Sequence, residues 1–549
     1  MLINTTTGRL FDRGKRASEF ESQPIFKELV SSMTTHIDRA RIRHEVQQYF
    51  RYVVLSHKWE DNEPLFHHVL HIAVYDLDDS PTHNKLRTYC KIIRDAGFHW
   101  AWSDTCCIDQ SDHVVLQEAL VAMFKWYQGS ALMIVFLRGV PSSSPRGALV
   151  GSIWNTRGWT LQEYIAAKKV RFYTEDWTLY RDLQLPNHKE FSEVIAEMEQ
   201  ATGVSAQRLM SLRLGLTSIR EKLRLASTRR TTRVEDAAYS LLGIFSAVGI
   251  PAIYGEGQAS LGRLLANILT RSGEVSVLAW SGVPSQFNSC LPARITVYSE
   301  PATSHVPAPI PKDKMRRMIV ASPSLFDFDV ALRLYDHLNG LPTPRFAESR
   351  MTLPCIAFLL PPFSHWRSDR VGSRRIYHVD TIGFGMVAIK TKQDLSQMTS
   401  LYLIHPWLDA LLEREDKSDD NVERNVLPPS PDTDDEEFSD SDSDDEEELS
   451  DREFGDDEEL SDEDANDNSV SLPRAEPHPA PVYAPMDRET GARRLVVLLR
   501  QPFGALLMKQ GARMGEYQRV ATDSLIRVRF QESVSLTSIL DNVRAVEVL

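Results

Sequence analysis

The chain has 549 residues, a formal net charge of −14, 42% hydrophobic and 9% aromatic residues. That is more than one ordinary domain, with enough apolar content to bury sizeable cores. No stretch reaches the roughly 18 to 20 apolar residues of a membrane-crossing helix, and Met1 to Lys15 lacks the apolar core of a secretory signal. The five cysteines form no C-x-x-C pair and no zinc set, which fits a reduced, cytoplasmic protein. The charge is unevenly placed. Between Asp432 and Asp467 stand 22 acidic residues and one basic residue, leaving 61 basic and 54 acidic residues elsewhere.

In chain order, Tyr52 to Ser56 reads as a short buried strand, and Leu86, Tyr89, Cys90 and Ile93 recur at helical spacing before Gly97. His99 to Ser103 is a second strand. Leu116, Leu120, Met123 and Tyr127 mark a second helix, and Leu132 to Leu137 a third strand. Asn155 or Thr156 could cap a third helix running to about Ala167, before a fourth strand at Val170 to Tyr173. This alternation predicts a parallel sheet wrapped by helices. From about Leu185 to Arg271 the pattern is helical. Thr232 to Glu235 has the form of a capping box, and Gln258 begins a further helix. Beyond Glu274 the apolar runs Ser276–Trp280, Ile295–Tyr298, Met318–Ala321, Cys355–Leu360, Gly385–Lys390 and Leu495–Leu499 read as strands. The expected organisation is an α/β core at 1–180, a helical extension at 181–272, a β-rich domain at 273–413 and 486–549, and an acidic insertion at 414–485. Like charges this dense repel, so the insertion is expected to be disordered. Ser439, Ser441, Ser443, Ser450 and Ser461 each have an acidic residue three positions on, which suits an acid-directed kinase.

Several polar groups fall where chemistry is usually placed. Ser56 and His57 end the first strand, and ligands of open parallel sheets bind at strand carboxyl ends. They serve equally well as a cap and a satisfied histidine. Asp104 to Gln110 follows the second strand in the same way, although Asp104 and Asp109 fit turn and cap positions too. Cys106 and Cys107 have no metal-spaced partner, so packing explains them. Trp159 and Glu163 are four apart on one helix face, suited to a ligand ring or to plain surface exposure. Tyr254-Gly255-Glu256-Gly257 lacks the Lys-Ser/Thr of a phosphate loop. Trp102, Met123, Trp126 and Trp159 are expected to be largely buried. No Gly-x-Ser-x-Gly, no His-Glu-x-x-His and no aromatic-rich basic patch is present, so nucleic acid is not an expected partner.

Read together, these blocks resemble the heterokaryon-incompatibility (HET) domain of filamentous fungi. The matching segments are Leu55-Ser56-His57-Lys58-Trp59, Trp102 to Asp109, Met123 to Tyr127 and Thr156 to Glu163. Arg233 to Phe245 and Tyr254 to Gly257 continue the likeness, which spans roughly residues 1 to 270. The family usually has Gly after the first motif Trp, where this chain has Glu60, and that puts the loop conformation in question.

The resemblance implies self/non-self recognition and cell death, with self-association or other incompatibility proteins as partners. HET domains are similar to TIR domains, so a flavodoxin/TIR-like sheet is implied. Some TIR domains cleave NAD with a helix-borne Glu, which points to Glu163 as catalytic. Ser56, His57, Trp59, Asp104, Arg157 and Trp159 would then hold the nucleotide, with NAD as substrate and no resident cofactor or metal. Arg157 is expected to keep the Glu163 pKa low. The alternative is a non-catalytic scaffold that signals by oligomerising.

Overall fold

The structure, a computed structural model, describes residues 1–32, 37–205, 218–247, 249–300, 327–347, 349–407, 488–531 and 533–549, with positions 207, 314, 317 and 318 between them. The acidic insertion with its serines, and the run Met318–Ala321 beyond its first residue, lie outside the described residues. No helix among the described residues is long and apolar enough to cross a membrane.

Six strands build the first sheet. They are β1 (Leu2–Asn4), β2 (Leu10–Phe11), β3 (Tyr52–His57), β4 (Trp100–Trp102), β5 (Leu132–Leu137) and β6 (Val170–Thr174), in the order β2-β1-β4-β3-β5-β6. Pairings β3–β4, β3–β5 and β5–β6 are parallel, as the alternating pattern predicts. Two short antiparallel strands, β1 and β2, extend the sheet beyond β4. Helices Pro81–Asp95 and His113–Gly129 make the first crossovers. Ser80 caps the former by accepting from the His83 N–H, with Pro81 in the first turn. Asp112 caps the latter by accepting from the Val114 and Val115 N–H groups.

The outer edge of this sheet is covered by two side chains and a main-chain carbonyl. On β6 the Val170 N–H donates to Asn187 Oδ1 and the Phe172 N–H to His188 Nδ1, each at 3.0 Å. The Thr174 N–H donates to the Thr178 carbonyl at 2.9 Å.

The helix carrying Glu163 starts later than expected. A short turn, Ile153–Thr156, precedes Trp159–Ala166, with Gly158 between them. The Gly158 N–H donates to the Arg230 carbonyl at 2.8 Å, and the Arg230 N–H donates to the Thr156 carbonyl at 2.6 Å. A Cβ on Gly158 would sit 2.4 Å from the Thr231 methyl, so the close approach of these two chain segments requires glycine.

The capping box expected at Thr232 is not formed. The helix there is Asp236–Tyr239, and the Glu235 carboxylate instead accepts from the Gly255 and Gly257 N–H groups at 2.9 and 3.0 Å. Helices Ser192–Thr202, Ile219–Ser227 and Ala259–Ser272 complete the helical part.

The remaining strands form two sheets. In the larger, β8 (Arg350–Leu359), β12 (Leu401–Pro406), β13 (Phe503–Gln510), β14 (Glu516–Arg519) and β16 (Val543–Val548) pair in turn, and β16 returns to β8, closing a ring. β7 (Arg345–Ala347) and β15 (Ile526–Val528) add to β8 and β13. β9 (Arg367–Val371), β10 (Arg374–Thr381) and β11 (Gly385–Thr391) form an antiparallel meander.

Three runs expected as strands are helical. Val275–Leu278 and Ile295–Ser299 are 3₁₀ turns, and Leu495–Leu499 ends the helix Arg488–Leu499. Short apolar runs carry no periodicity that separates strand from buried helix, and here tertiary packing decides. One continuous hydrophobic core runs from the first sheet through the helical part to Met351, Leu506, Tyr517 and Val546 of the ring.

Candidate functional site

The parallel strands end on one edge, and β3 is flanked by β4 on one side and β5 on the other. The chain therefore turns in opposite directions beside β3, which opens a crevice at its carboxyl end. Ser56 and His57 finish β3, while Ser103 and Asp104 follow β4. The helix Trp159–Ala166 brings Glu163 to the same place, about 6 Å along its axis at 1.5 Å per residue.

Three side chains are linked there, with a hydrogen-bonded pair in front of them. The Ser56 hydroxyl donates to Glu163 Oε2, and the Trp154 indole N–H donates to Ser56 Oγ at 2.7 Å. Ser56 thus acts as donor and acceptor at once, and all three residues are buried. In front of them the Trp59 indole N–H donates to Asp104 Oδ2 at 2.9 Å. Trp59, Asp104, Arg157, Trp159 and Glu163 all line one cleft of about 570 Å³. Its far wall is the loop Arg230 to Arg233 with Asp236 and Tyr254, where Tyr254 donates to Asp236 at 2.9 Å.

Glu163 is only 4% exposed. Burial pushes its carboxyl up to about 7, and the neighbouring Asp104 charge adds to the rise. The Ser56 hydrogen bond and the Arg157 and Arg229 charges oppose this but lose. The expectation that Arg157 keeps this carboxyl low is therefore overturned, because desolvation outweighs the partner charge. Asp104 is raised too, again by burial first, against the pull of His57, Trp59 and Arg157. A carboxyl near 7 exchanges its proton at neutral pH, as general acid–base work requires.

His57 is drawn away from the cleft. Its Nε2 lies 3.5 Å from Glu63 Oε1, and Lys85 pairs with the same carboxylate. Burial pushes the Glu63 carboxyl up, but His57 and Lys85 outweigh it and hold it at about 2. Glu60 pairs with Lys85 at 3.3 Å and with Arg138 at 2.8 Å. Its φ is not in the left-handed region, so the residue in place of the family glycine fits without strain. This network holds the loop that carries Lys58 and Trp59.

Of the expected site residues, six meet at the cleft, Ser56 through its bond to Glu163, and His57 stands behind them. Sequence reasoning missed Trp154, two residues before the Thr156 motif, and Arg229. The Arg229 guanidinium is buried and donates to the Arg157 carbonyl and Thr160 Oγ1 at 2.9 and 2.7 Å. No local spacing ties either to β3. Trp102 and Met123 are buried as expected, and Trp126 and Trp159 are partly buried against the same core. Trp159 faces the cleft, and Trp126 stacks on Trp102 with ring centroids 5.9 Å apart. No three metal-binding side chains cluster among the described residues.

The family described as "Heterokaryon incompatibility protein (HET)" matches residues 52–149. That span takes in β3, β4, β5 and the two crossover helices. "Vegetative incompatibility protein HET-E-1" of Podospora anserina is 34% identical over 231 residues, which is 40% of this chain and 16% of the relative. The chain thus spans about a sixth of the curated relative that it matches. No solved structure matches.

Proposed function

Because the chain is a heterokaryon-incompatibility (HET) domain protein, we propose that it acts in vegetative incompatibility as an effector that hydrolyses NAD at the nicotinamide bond. The observation that carries this reading is Glu163, a buried carboxyl on Ser56 at the edge of a cleft that also holds Trp59, Asp104 and Arg157. The four parallel strands β3 to β6 lie in the order 2-1-3-4, the opening of the flavodoxin-like order, which supports a TIR-like core. Breaking the C1′–N bond sends its electron pair to nicotinamide and leaves positive charge on the ribose. The ionised Glu163 carboxylate stabilises that charge, and water then adds at C1′. Trp59 and Trp159 offer ring faces to the bases, and Arg157 opposes phosphate charge. The closure of the site around Ser56 excludes water from the carboxylate.

A second reading has one observation in its favour. The chain Trp154–Ser56–Glu163 is buried and ties a helix to β3, which is also what a structural polar triad does. Then the domain signals without chemistry. To separate them, concentrated full-length protein is incubated with NAD and free nicotinamide is measured. The parent is expected to release it, and Glu163→Gln to release at least a hundredfold less, about 2.7 kcal/mol of barrier. Equal release by both would remove Glu163 from the chemistry. Loss of cell death in Glu163→Gln with no release from the parent would favour the scaffold.

A further inference from the structure

The helix His113–Gly129 has two opposed faces. Leu116, Leu120 and Met123 point into the cleft. On the opposite side Val114, Glu118, Val121 and Lys125 recur at i, i+4, i+7 and i+11, within about 60° of one another at 100° per residue. All four are exposed, Val114 by 67% and Val121 by 54%. Neither Glu118 nor Lys125 pairs with an opposite charge among the described residues. Two valines on a solvent face next to unspent charges of both signs are not needed by the fold, whose core lies on the other side of the helix.

The order of these charges fits the stripe itself. A twofold axis between Val121 and Ala122 sets two such helices antiparallel. It then brings Glu118 of each against Lys125 of the other, puts the Val121 side chains together at the centre, and lays Val114 over Gly129, which has no side chain. A parallel pairing would set Glu118 on Glu118 and Lys125 on Lys125. We propose that this face binds a second copy of the same chain, antiparallel, through the stripe Val114–Glu118–Val121–Lys125. The contact is isologous, so it closes on itself as a dimer. A helix about 25 Å long with two apolar anchors makes a small interface, so the dimer is weak and forms on crowding. The inference does not depend on the cleft chemistry.

Sedimentation equilibrium of the full-length chain, from about 1 μM to several hundred μM, tests it. The parent is expected to dimerise with rising concentration and to dissociate in high salt. Glu118→Lys should raise the dissociation constant by about tenfold or more, since each copy then sets lysine against lysine. The double variant Glu118→Lys/Lys125→Glu should restore the parent value, and Val121→Glu should abolish the dimer. These side chains are exposed, so melting curves of the variants should match the parent. A parent that stays monomeric throughout overturns the proposal. So does a dimer indifferent to Glu118→Lys and Val121→Glu, and so does a double variant that fails to recover. Nicotinamide release is scored separately, so a dimer without hydrolysis leaves this inference standing while the NAD reading fails.

Discussion

Glu163 sits at the point where solvation and charge compete most directly. With its carboxyl near 7 in the folded state and an ordinary value of 4.5, the folded protein keeps a proton that the unfolded chain gives up. Stability is thus lost as pH rises from about 4.5 through 7, on the order of 3 kcal/mol. Glutamine has the shape of the neutral acid and does not titrate. The unfolding free energy of Glu163→Gln should therefore gain on the parent by about that amount between pH 4.5 and pH 8. Urea titrations at the two pH values check this, and a difference that ignores pH would refute the assignment. In catalysis the same group should give an ascending limb in nicotinamide release with a midpoint near pH 7. Asp104→Asn removes a like charge and should move that midpoint down, as a pH–rate profile would reveal. The sequence placed Ser56 and Asp104 at strand carboxyl ends, because apolar runs are readable, whereas their meeting with Glu163 depends on the strand order and on a helix that begins only at Trp159. The protonation of Glu163 was not legible, since it depends on how completely Trp154 and the strand ends exclude water.

Among the elements, the misreadings have one cause in common. Thr232 to Glu235 satisfies every local rule for a capping box, yet the Glu235 carboxylate caps two glycine N–H groups of another segment. A local signal lists what a residue is able to do, and a distant partner with two open donors outbid the helix start. Leu495 to Leu499 likewise reads as strand until the helix Phe328–Asn339 is available to pack against. Gly158 shows the same dependence from the other side. Nothing local demands glycine there, since its φ is ordinary, but the Thr231 methyl would lie 2.4 Å from a Cβ at this position. Gly158→Ala should destabilise by about 1 to 3 kcal/mol through overpacking. It should also displace the wall formed by Arg230 and Arg233, so it should weaken ligand binding beyond its effect on stability. Thermal melts with and without NAD would measure both, and an unperturbed melting temperature would rule out the close approach.

At the scale of the molecule, the boundary expected near residue 273 crosses a shared core rather than a linker. Arg519 of β14 lies over the Trp280 ring at 3.8 Å and donates to the Leu278 carbonyl at 2.8 Å and to the Trp280 carbonyl. It is buried, with those carbonyls as its acceptors, and desolvation lowers its pKa to about 10. Arg519→Ala leaves the carbonyls unpaired and should cost about 3 kcal/mol or more. A fragment of residues 1–272 should melt well below the full chain, because it exposes the apolar surface that Met351, Leu506 and Val546 cover. Equal melting temperatures would mean the two parts fold independently. The sequence reads as separable regions because composition changes sharply along it, whereas contacts across 240 residues leave no compositional trace.

The covered edge of β6 has a further consequence for how copies of this protein meet. An unprotected edge strand recruits a strand from another chain, in register and without limit. Here every outward N–H is already taken, one of them by the Nδ1 lone pair of His188, whose Nε2 is 3.0 Å from the Leu183 carbonyl. Burial lowers the His188 pKa and so preserves that lone pair. Runaway strand addition at this edge is blocked at neutral pH, and assembly is left to side-chain surfaces that saturate. Acid reverses the arrangement: a protonated His188 has two N–H groups and no acceptor, and it repels the Phe172 N–H it once satisfied. Below that lowered pKa, β6 becomes a template. Fibrillar, thioflavin-positive aggregates should therefore appear on acidification, and at neutral pH in His188→Ala. Their absence in both would show that Asn187 and Thr178 guard the edge unaided.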